Sequence, residues 1–180
     1  MIRRAVVLGW LMIRINYLDP LVNYLKASPI LNNHGIPGVP DINGKNIWVF
    51  SDWSIFKNAK SWTYGVIIKP MESRPNADNL QPNCRTPMEH RVMIGVQVKN
   101  ARNTQNHFQE DVQAGITSYT GAYPQAAKFE ELVRDTVLAY NESIRLDEVL
   151  KPLMLVELPE PEESDGYLMM PSIYQTTYVY

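Results

Sequence analysis

The stretch EHRVMIGVQVKN, residues 89–100, decides the fold expected for this chain. Its mostly apolar residues recur at every second position, and the residues between them are mixed in polarity; the first set is His90, Val92, Ile94, Val96 and Val98. Alternation with a period of two predicts a β-strand. One apolar face and one mixed face are typical of an antiparallel sheet that is covered on one side.

Other segments predict further strands around this one. WTYGVIIKP, residues 62–70, has an apolar centre, and NIWVF before it contains a short strand over Ile47–Phe50. LMLVELP, residues 153–159, predicts a third long strand, and an acidic turn, EPEESDGYLMM, follows it. The chain closes on PSIYQTTYVY, residues 171–180, whose alternation places Tyr174, Thr176, Tyr178 and Tyr180 on one side.

Helical periodicity is strongest in QAAKFEELVRDTVLAYNES, residues 125–143. Apolar residues at helical spacing predict one buried face, formed by Phe129, Leu132, Val133, Thr136, Val137 and Tyr140. Pro124 stands where a helix can begin. The polar connection before it, residues 101–124, is predicted to be partly helical around Phe108–Val112.

Two helices are predicted at the N-terminus. Val7, Leu11, Ile15 and Leu18 keep helical spacing, with Arg3, Arg4 and Arg14 beside them, and Pro20 opens a second short helix through Leu21, Tyr24 and Leu25. The apolar run Ala5–Ile13 is far shorter than the roughly 20 residues of a membrane span. The basic start resembles a signal peptide, but no small-residue cleavage site follows, so an amphipathic helix is favoured.

These elements predict an α+β fold with an antiparallel sheet of about four strands and helices on one face. The 180 residues are enough for a single domain, residues 1–180. Two proline-rich and turn-rich stretches interrupt the pattern, at about residues 28–61 and 71–88, and we expect them to be inserted loops.

Composition restricts the possible functions. The formal net charge of −2 does not favour a basic nucleic-acid-binding protein. The single cysteine, Cys84, cannot form an internal disulfide, which fits folding in a reducing compartment. The three histidines, His34, His90 and His107, lie far apart and lack the spacing of metal ligands.

No catalytic motif is present in the sequence. No paired nucleophile and base, no glycine-rich phosphate loop and no calcium-loop spacing occurs. The adjacent Glu130 and Glu131 are typical of a solvated helix face, and the aromatic cluster around Trp48, Trp53 and Trp62 is typical of a small core under a loop. We therefore predict a protein that is not an enzyme, with no catalytic residues, cofactor or metal.

The order of elements resembles the tail terminator proteins of tailed bacteriophages, also called tail completion or minor tail proteins. The resemblance lies in an N-terminal helix, the strand EHRVMIGVQVKN before the long helix AAKFEELVRDTVLAY, then LMLVELPEPEESDG and the closing YQTTYVY. It covers roughly residues 64–180 together with the N-terminal helix. The insertions at residues 28–61 and 71–88 distinguish this chain from the smaller members.

The resemblance implies a structural protein of the virion tail or neck, assembled in the host cytoplasm. Such proteins form a hexameric ring that caps the tail tube, stops its polymerisation and joins it to the head. The expected partners are further copies of the chain, the tail tube protein and head-completion or neck proteins, with the sheath protein as a further candidate. Genomic DNA would pass through the ring without specific binding, and no membrane is involved.

Two places in the sequence are candidate contacts with a neighbouring subunit or partner. The first is the tyrosine side of the last strand, Tyr174, Tyr178 and Tyr180, since aromatic residues supply much of the energy of interfaces. The equal alternative is that this strand packs internally on Phe129 and Val133. The second candidate is the 71–88 excursion, through Arg74 and Arg85 facing an acidic ring.

Other functions remain open at this point. The chain could be another phage neck or connector protein. From other classes, it could be a small α+β enzyme with its site in the aromatic cluster, or a module that receives a peptide strand at its sheet edge. The absence of a paired base and nucleophile makes the enzyme the weaker alternative.

Overall fold

The computed structural model describes residues 18–36, 39, 46–49, 64–75, 87–99, 109–113, 116–120, 122–146, 151–164 and 166–179. Within these ranges the helices are α1 (Asp19–Ala27), α2 (Pro29–Asn32) and α3 (Ala122–Ser143). The strands are β1 (Ile47–Val49), β2 (Tyr64–Pro75), β3 (Pro87–Lys99), β4 (Gln109–Gln113), β5 (Ile116–Thr120), β6 (Met154–Glu157), β7 (Glu162–Ser164) and β8 (Tyr167–Val179).

Six of the strands form one sheet in the order β1-β2-β3-β8-β6, with β7 pairing beside β6 on the same edge of β8. All pairs are antiparallel except β1 with β2. The α+β prediction is confirmed, with helices packed on the sheet. The sheet has six strands rather than about four, because the short strands β1 and β7 add to it.

The strands β3 and β8 form the centre of the sheet. Their ladder runs without interruption from Pro87 opposite Val179 to Lys99 opposite Tyr167. The alternation in residues 89–100 and in 171–180 therefore identified the two strands that carry the fold. β8 begins at Tyr167, before the predicted start, and Gly166 at its head has a φ of 81°, which favours glycine.

The strand β2 is longer than the sequence predicts. It continues past Pro70 to Pro75, where Ser73 and Arg74 pair with His90 and Glu89 of β3. The register shifts between Pro70 and Ser73, and such an irregularity accommodates a proline that has no N–H to donate. The excursion predicted at residues 71–88 therefore contributes strand at both of its ends.

The helical prediction around Phe108–Val112 is wrong where the structure describes it. Residues 109–113 form β4, which pairs antiparallel with β5 from Gln109 opposite Thr120 to Gln113 opposite Ile116. Only Ala114 and Gly115 separate the two strands in sequence, a spacing and composition typical of a hairpin.

The buried face of α3 is confirmed residue by residue. All six predicted side chains are buried, and so is Pro124 in the first turn. The second N-terminal helix is confirmed as α1, with Leu21 and Leu25 buried. The first predicted helix lies in residues 1–17, outside the described residues.

The main core lies between the sheet and the helices. It joins the even-numbered residues of β3 from Val92 to Val98 to α1, to α3 and to Leu168 and Tyr174 of β8. The opposite face of the sheet is also buried at its centre, where Ile67, Met93, Met169 and Ile173 form a second cluster. A Cβ at Gly95 would lie 3.2 Å from Sδ of Met169, so glycine leaves room for that side chain.

Candidate functional site

The edge strand β6 exposes apolar side chains to solvent. Met154 is 59% exposed, Leu155 41% and Val156 44%, and Leu158 just beyond the strand is 57% exposed. The sequence predicts a third long strand here, but β6 has only four residues. An exposed edge strand with apolar side chains is a typical place for another chain to bind.

Side-chain hydrogen bonds attach the start of β6 to helix α3. The amide Nδ2 of Asn141 donates to the carbonyl oxygen of Leu153 at 2.8 Å, and the N–H of Leu153 donates to Oδ1 of Asn141 at 2.9 Å. Leu153 itself is buried. These bonds fix the position of the edge relative to the helix.

A groove of about 370 Å³ lies between α3 and the β6–β8 edge. Its apolar part includes Leu138, which is 61% exposed, together with Leu155 and Val137. The full lining is Glu131, Arg134, Asp135, Val137, Leu138, Asn141, Leu153, Leu155 and Tyr174. We call this feature the α3–β6 groove.

Tyr174 of β8 lies in the wall of the α3–β6 groove and belongs to the main core. Its side chain is buried, and among the described residues its hydroxyl has no hydrogen-bond partner. Burial, and then the carboxylate of Glu130, raise the pKa of Tyr174 above its ordinary value, and the guanidinium of Arg134 opposes this. The phenol is therefore neutral at physiological pH.

A polar cluster next to Tyr174 connects α3 to β8. The hydroxyl of Ser172 donates to Oε1 of Glu130 at 2.6 Å, and Nε of Arg134 lies 2.9 Å from Oε2 of the same carboxylate. Glu130 is thus not the freely solvated residue that the sequence predicts; its side chain is 12% exposed. A buried carboxylate is tolerated where it is paired and hydrogen-bonded in this way.

The rim of the α3–β6 groove carries two exposed carboxylates and the partly exposed guanidinium of Arg134. Glu131 and Asp135 are exposed on the outer face of α3, and Glu131 is 2.6 Å from Nζ of Lys128. From Glu157, the last residue of β6, exposed carboxylates continue along the same edge of the sheet at Glu160, Glu162 and Glu163. A partner with basic residues would be attracted to this edge.

The predicted contact residues divide between the core and one end of the sheet. Tyr174 packs in the same core cluster as Phe129 and Val133, so at this position the strand packs on its own helix. Tyr178 pairs with Met88 in the β3–β8 ladder, but its side chain is outside the described residues. Tyr180 and Arg85 are also outside them.

Arg74 lies at the same end of the sheet as Tyr178. It pairs with Glu89, which pairs in turn with Thr177, one residue before Tyr178. The side chain of Arg74 is 60% exposed, and its Nε is 3.2 Å from Oε2 of Glu89. The structure therefore brings Arg74 and Tyr178 to one end of the sheet, with Tyr174 further along β8. Their role in a subunit contact stays a prediction.

The buried histidine belongs to the sheet and not to a groove. His90 is buried in β3, its Nδ1 is 2.5 Å from the hydroxyl of Ser73, and burial lowers its pKa. No cluster of three or more potential metal ligands occurs in the described ranges. In those ranges there is also no helix long and apolar enough to cross a membrane.

Asn141, Leu138 and the exposure of β6 were not predicted from the sequence. Leu138 carries a recognisable signal, because it is an apolar residue three positions after Asp135 and seven after Glu131, on the charged face of α3. The contact between Asn141 and Leu153 leaves no local pattern in the sequence. An apolar run such as LMLV predicts a buried strand as readily as an exposed edge.

The sequence was compared with known proteins. No protein-family model matches the chain, and no curated protein matches its sequence. The α3–β6 groove, the exposed edge and the order of the elements are therefore the observations from which function is inferred.

Proposed function

We infer that this protein is a structural component of a bacteriophage tail, of the tail terminator type. In this proposal copies of the chain assemble into a ring, expected to be a hexamer, on the end of the tail tube. The ring stops tube polymerisation and joins the tube to head-completion or neck proteins. The chain performs no catalysis in this role.

The observation that carries the proposal is the exposed apolar edge. The side chains of Met154, Leu155, Val156 and Leu158 would be in contact with water in an isolated monomer. Contiguous exposed apolar residues mark surfaces that bind other proteins, and an edge strand also offers unpaired backbone groups. A subunit of a closed assembly has this kind of surface.

The order of the elements supports the phage assignment specifically. Helix α1, strands β2 and β3, helix α3, strand β6 and strand β8 follow one another as in the family that the sequence resembles, and α2, β1, the hairpin β4–β5 and β7 lie between them. The formal net charge of −2 suits a conduit through which DNA passes without being held, since tight phosphate binding requires a basic surface.

The experiment that tests the proposal is a measurement of mass by light scattering on a sizing column, followed by negative-stain electron microscopy. A six-subunit ring with a central hole is the expected result, and addition of the purified protein to growing tail tubes should then stop their elongation. A compact dimer without a hole, and no effect on tube length, would contradict it.

A strand-binding module is the second candidate, because the same β6 edge could receive a peptide. The two candidates differ in mass. A module stays monomeric or dimeric and binds a foreign strand, whereas a terminator uses the edge for copies of itself.

A further inference from the structure

The α3–β6 groove and the beginning of the described chain lie on opposite sides of helix α3. Helix α1, which follows Leu18 directly, contacts β1 and α3. The groove lies at β6, at the other end of the sheet order. Four strand spacings separate β1 from β6, which is about 19 Å.

Residues 1–17 combine an apolar run with basic side chains. Their sequence, MIRRAVVLGWLMIRINY, contains three arginines, no aspartate or glutamate, and an apolar run. The groove has apolar side chains at Leu138 and Leu155, and it is lined by two carboxylates, Glu131 and Asp135, and one guanidinium, that of Arg134. The two surfaces are therefore complementary in both charge and hydrophobicity.

We propose that the α3–β6 groove binds residues 1–17 of a second copy of this chain. The inference rests on the proposed assembly of copies into a ring and names the contact that joins them. Apolar side chains of the segment cover Leu138 and Leu155, and its arginines lie against Glu131 and Asp135. Buried apolar contacts supply the affinity, and the charges set the orientation.

Helix α1 and the groove lie on different sides of the chain, so the contact between two copies is directional. Residues 1–17 precede Leu18 and helix α1 in sequence, and α1 contacts β1, whereas the groove is at the β6 side. Each copy therefore donates a segment on one side and accepts one on the other. Head-to-tail contacts of this kind close into a ring when the rotation between copies permits. Leu138 and Leu155 are exposed in the single chain, which leaves the groove available to a neighbour.

Crosslinking between two full-length variants tests the proposal. Both carry Cys84→Ser; a tagged chain carries Leu11→Cys and an untagged chain carries Leu155→Cys. After mixing at high concentration, a short thiol–thiol crosslinker should give a tagged–untagged product. Leu146 provides the matched control, because it is 89% exposed but does not line the groove. Placing the cysteine at Leu146→Cys instead should lower the yield about tenfold.

A second substitution shows whether the groove itself is responsible. Leu138→Lys in the Leu155→Cys chain should also reduce the product about tenfold, because it places a charged group in the apolar part of the contact. Leu146→Lys should leave the yield unchanged. Equal yields for the Leu155→Cys and Leu146→Cys chains, or no loss with Leu138→Lys, would overturn the proposal.

The mass of each variant distinguishes a failure of the proposed groove contact from a failure of the proposed ring assembly. If the Leu138→Lys protein still forms six-subunit rings, the proposed contact in the groove is wrong, but the proposed ring assembly is supported. If wild-type protein forms no rings but the specific crosslink appears, the contact stands as a binding between copies and the ring is wrong.

Discussion

Asn141 on helix α3 and Leu153 before strand β6 exchange two hydrogen bonds, of 2.8 and 2.9 Å, between one side-chain amide and the backbone C=O and N–H of one residue. Both residues line the α3–β6 groove, and their bonds hold a strand of four residues at the edge of the sheet. A strand this short has few ladder bonds of its own, so its position depends on this side chain.

Replacing Asn141 by Ala should therefore loosen the edge strand. The variant loses both hydrogen bonds and leaves the half-buried backbone groups of Leu153 without their partner, and we expect the free energy of unfolding to fall by about 1–3 kcal/mol. Urea unfolding followed by circular dichroism measures this. Asn23→Ala on the exposed side of α1 is the control, and it should be neutral. Equal stability of Asn141→Ala and the wild type would contradict the assigned role.

Tyr174 should stabilise the fold through its aromatic ring and not through its hydroxyl. Because the hydroxyl is buried and has no hydrogen-bond partner in the part of the chain that the structure describes, Tyr174→Phe should leave the free energy of unfolding unchanged or raise it. Tyr174→Ala leaves a cavity next to α3 and should cost about 3–5 kcal/mol. Thermal or urea unfolding of the two variants distinguishes these effects. A loss of more than about 1 kcal/mol in Tyr174→Phe would mean that the hydroxyl has a partner.

The lowered pKa of buried His90 predicts that the stability of the protein depends on pH. Burial lowers the pKa of His90 in the folded protein below its ordinary value of 6.5. As pH falls below 6.5, the unfolded chain binds a proton at this imidazole before the folded chain does, so the free energy of unfolding decreases. His90→Gln should show a smaller decrease between pH 7 and the lower folded pKa. Parallel curves for the two proteins, recorded by urea unfolding, would exclude the effect.

Tyr178 remains a candidate contact at the end of β8. If its side chain meets a neighbouring subunit, Tyr178→Ser should dissociate the ring and leave folded monomers, because interface aromatics carry much of the binding energy. Light scattering gives the mass, and circular dichroism confirms that the monomer is folded. Tyr178→Phe should keep the ring. If the Tyr178→Ser protein still forms rings, Tyr178 is not an important contact in the interface.

Much of the fold follows from periodicity in the sequence. The buried face of α3 and the alternation in β3 and β8 are local patterns, and the structure has them where the sequence predicts them. The α+β class follows from their order. The hairpin β4–β5 and the extension of β2 to Pro75 lie in polar stretches without periodicity, where pairing between strands decides the structure.

The groove was less accessible to prediction from the sequence. The alternation in the last strand made Tyr174 a candidate contact residue, and this residue does line the groove. Its role there depends on α3, Leu153 and the short β6, which are distant in sequence. The apolar run Met154–Val156 predicts a buried strand, and only the sheet order places it at an exposed edge.

The most direct test of the account is the mass of the purified protein in solution, combined with negative-stain images of the same sample. We predict a six-subunit assembly with a central hole. A compact dimer without a hole would contradict the ring, and would leave the strand-binding module as the better account of the exposed edge.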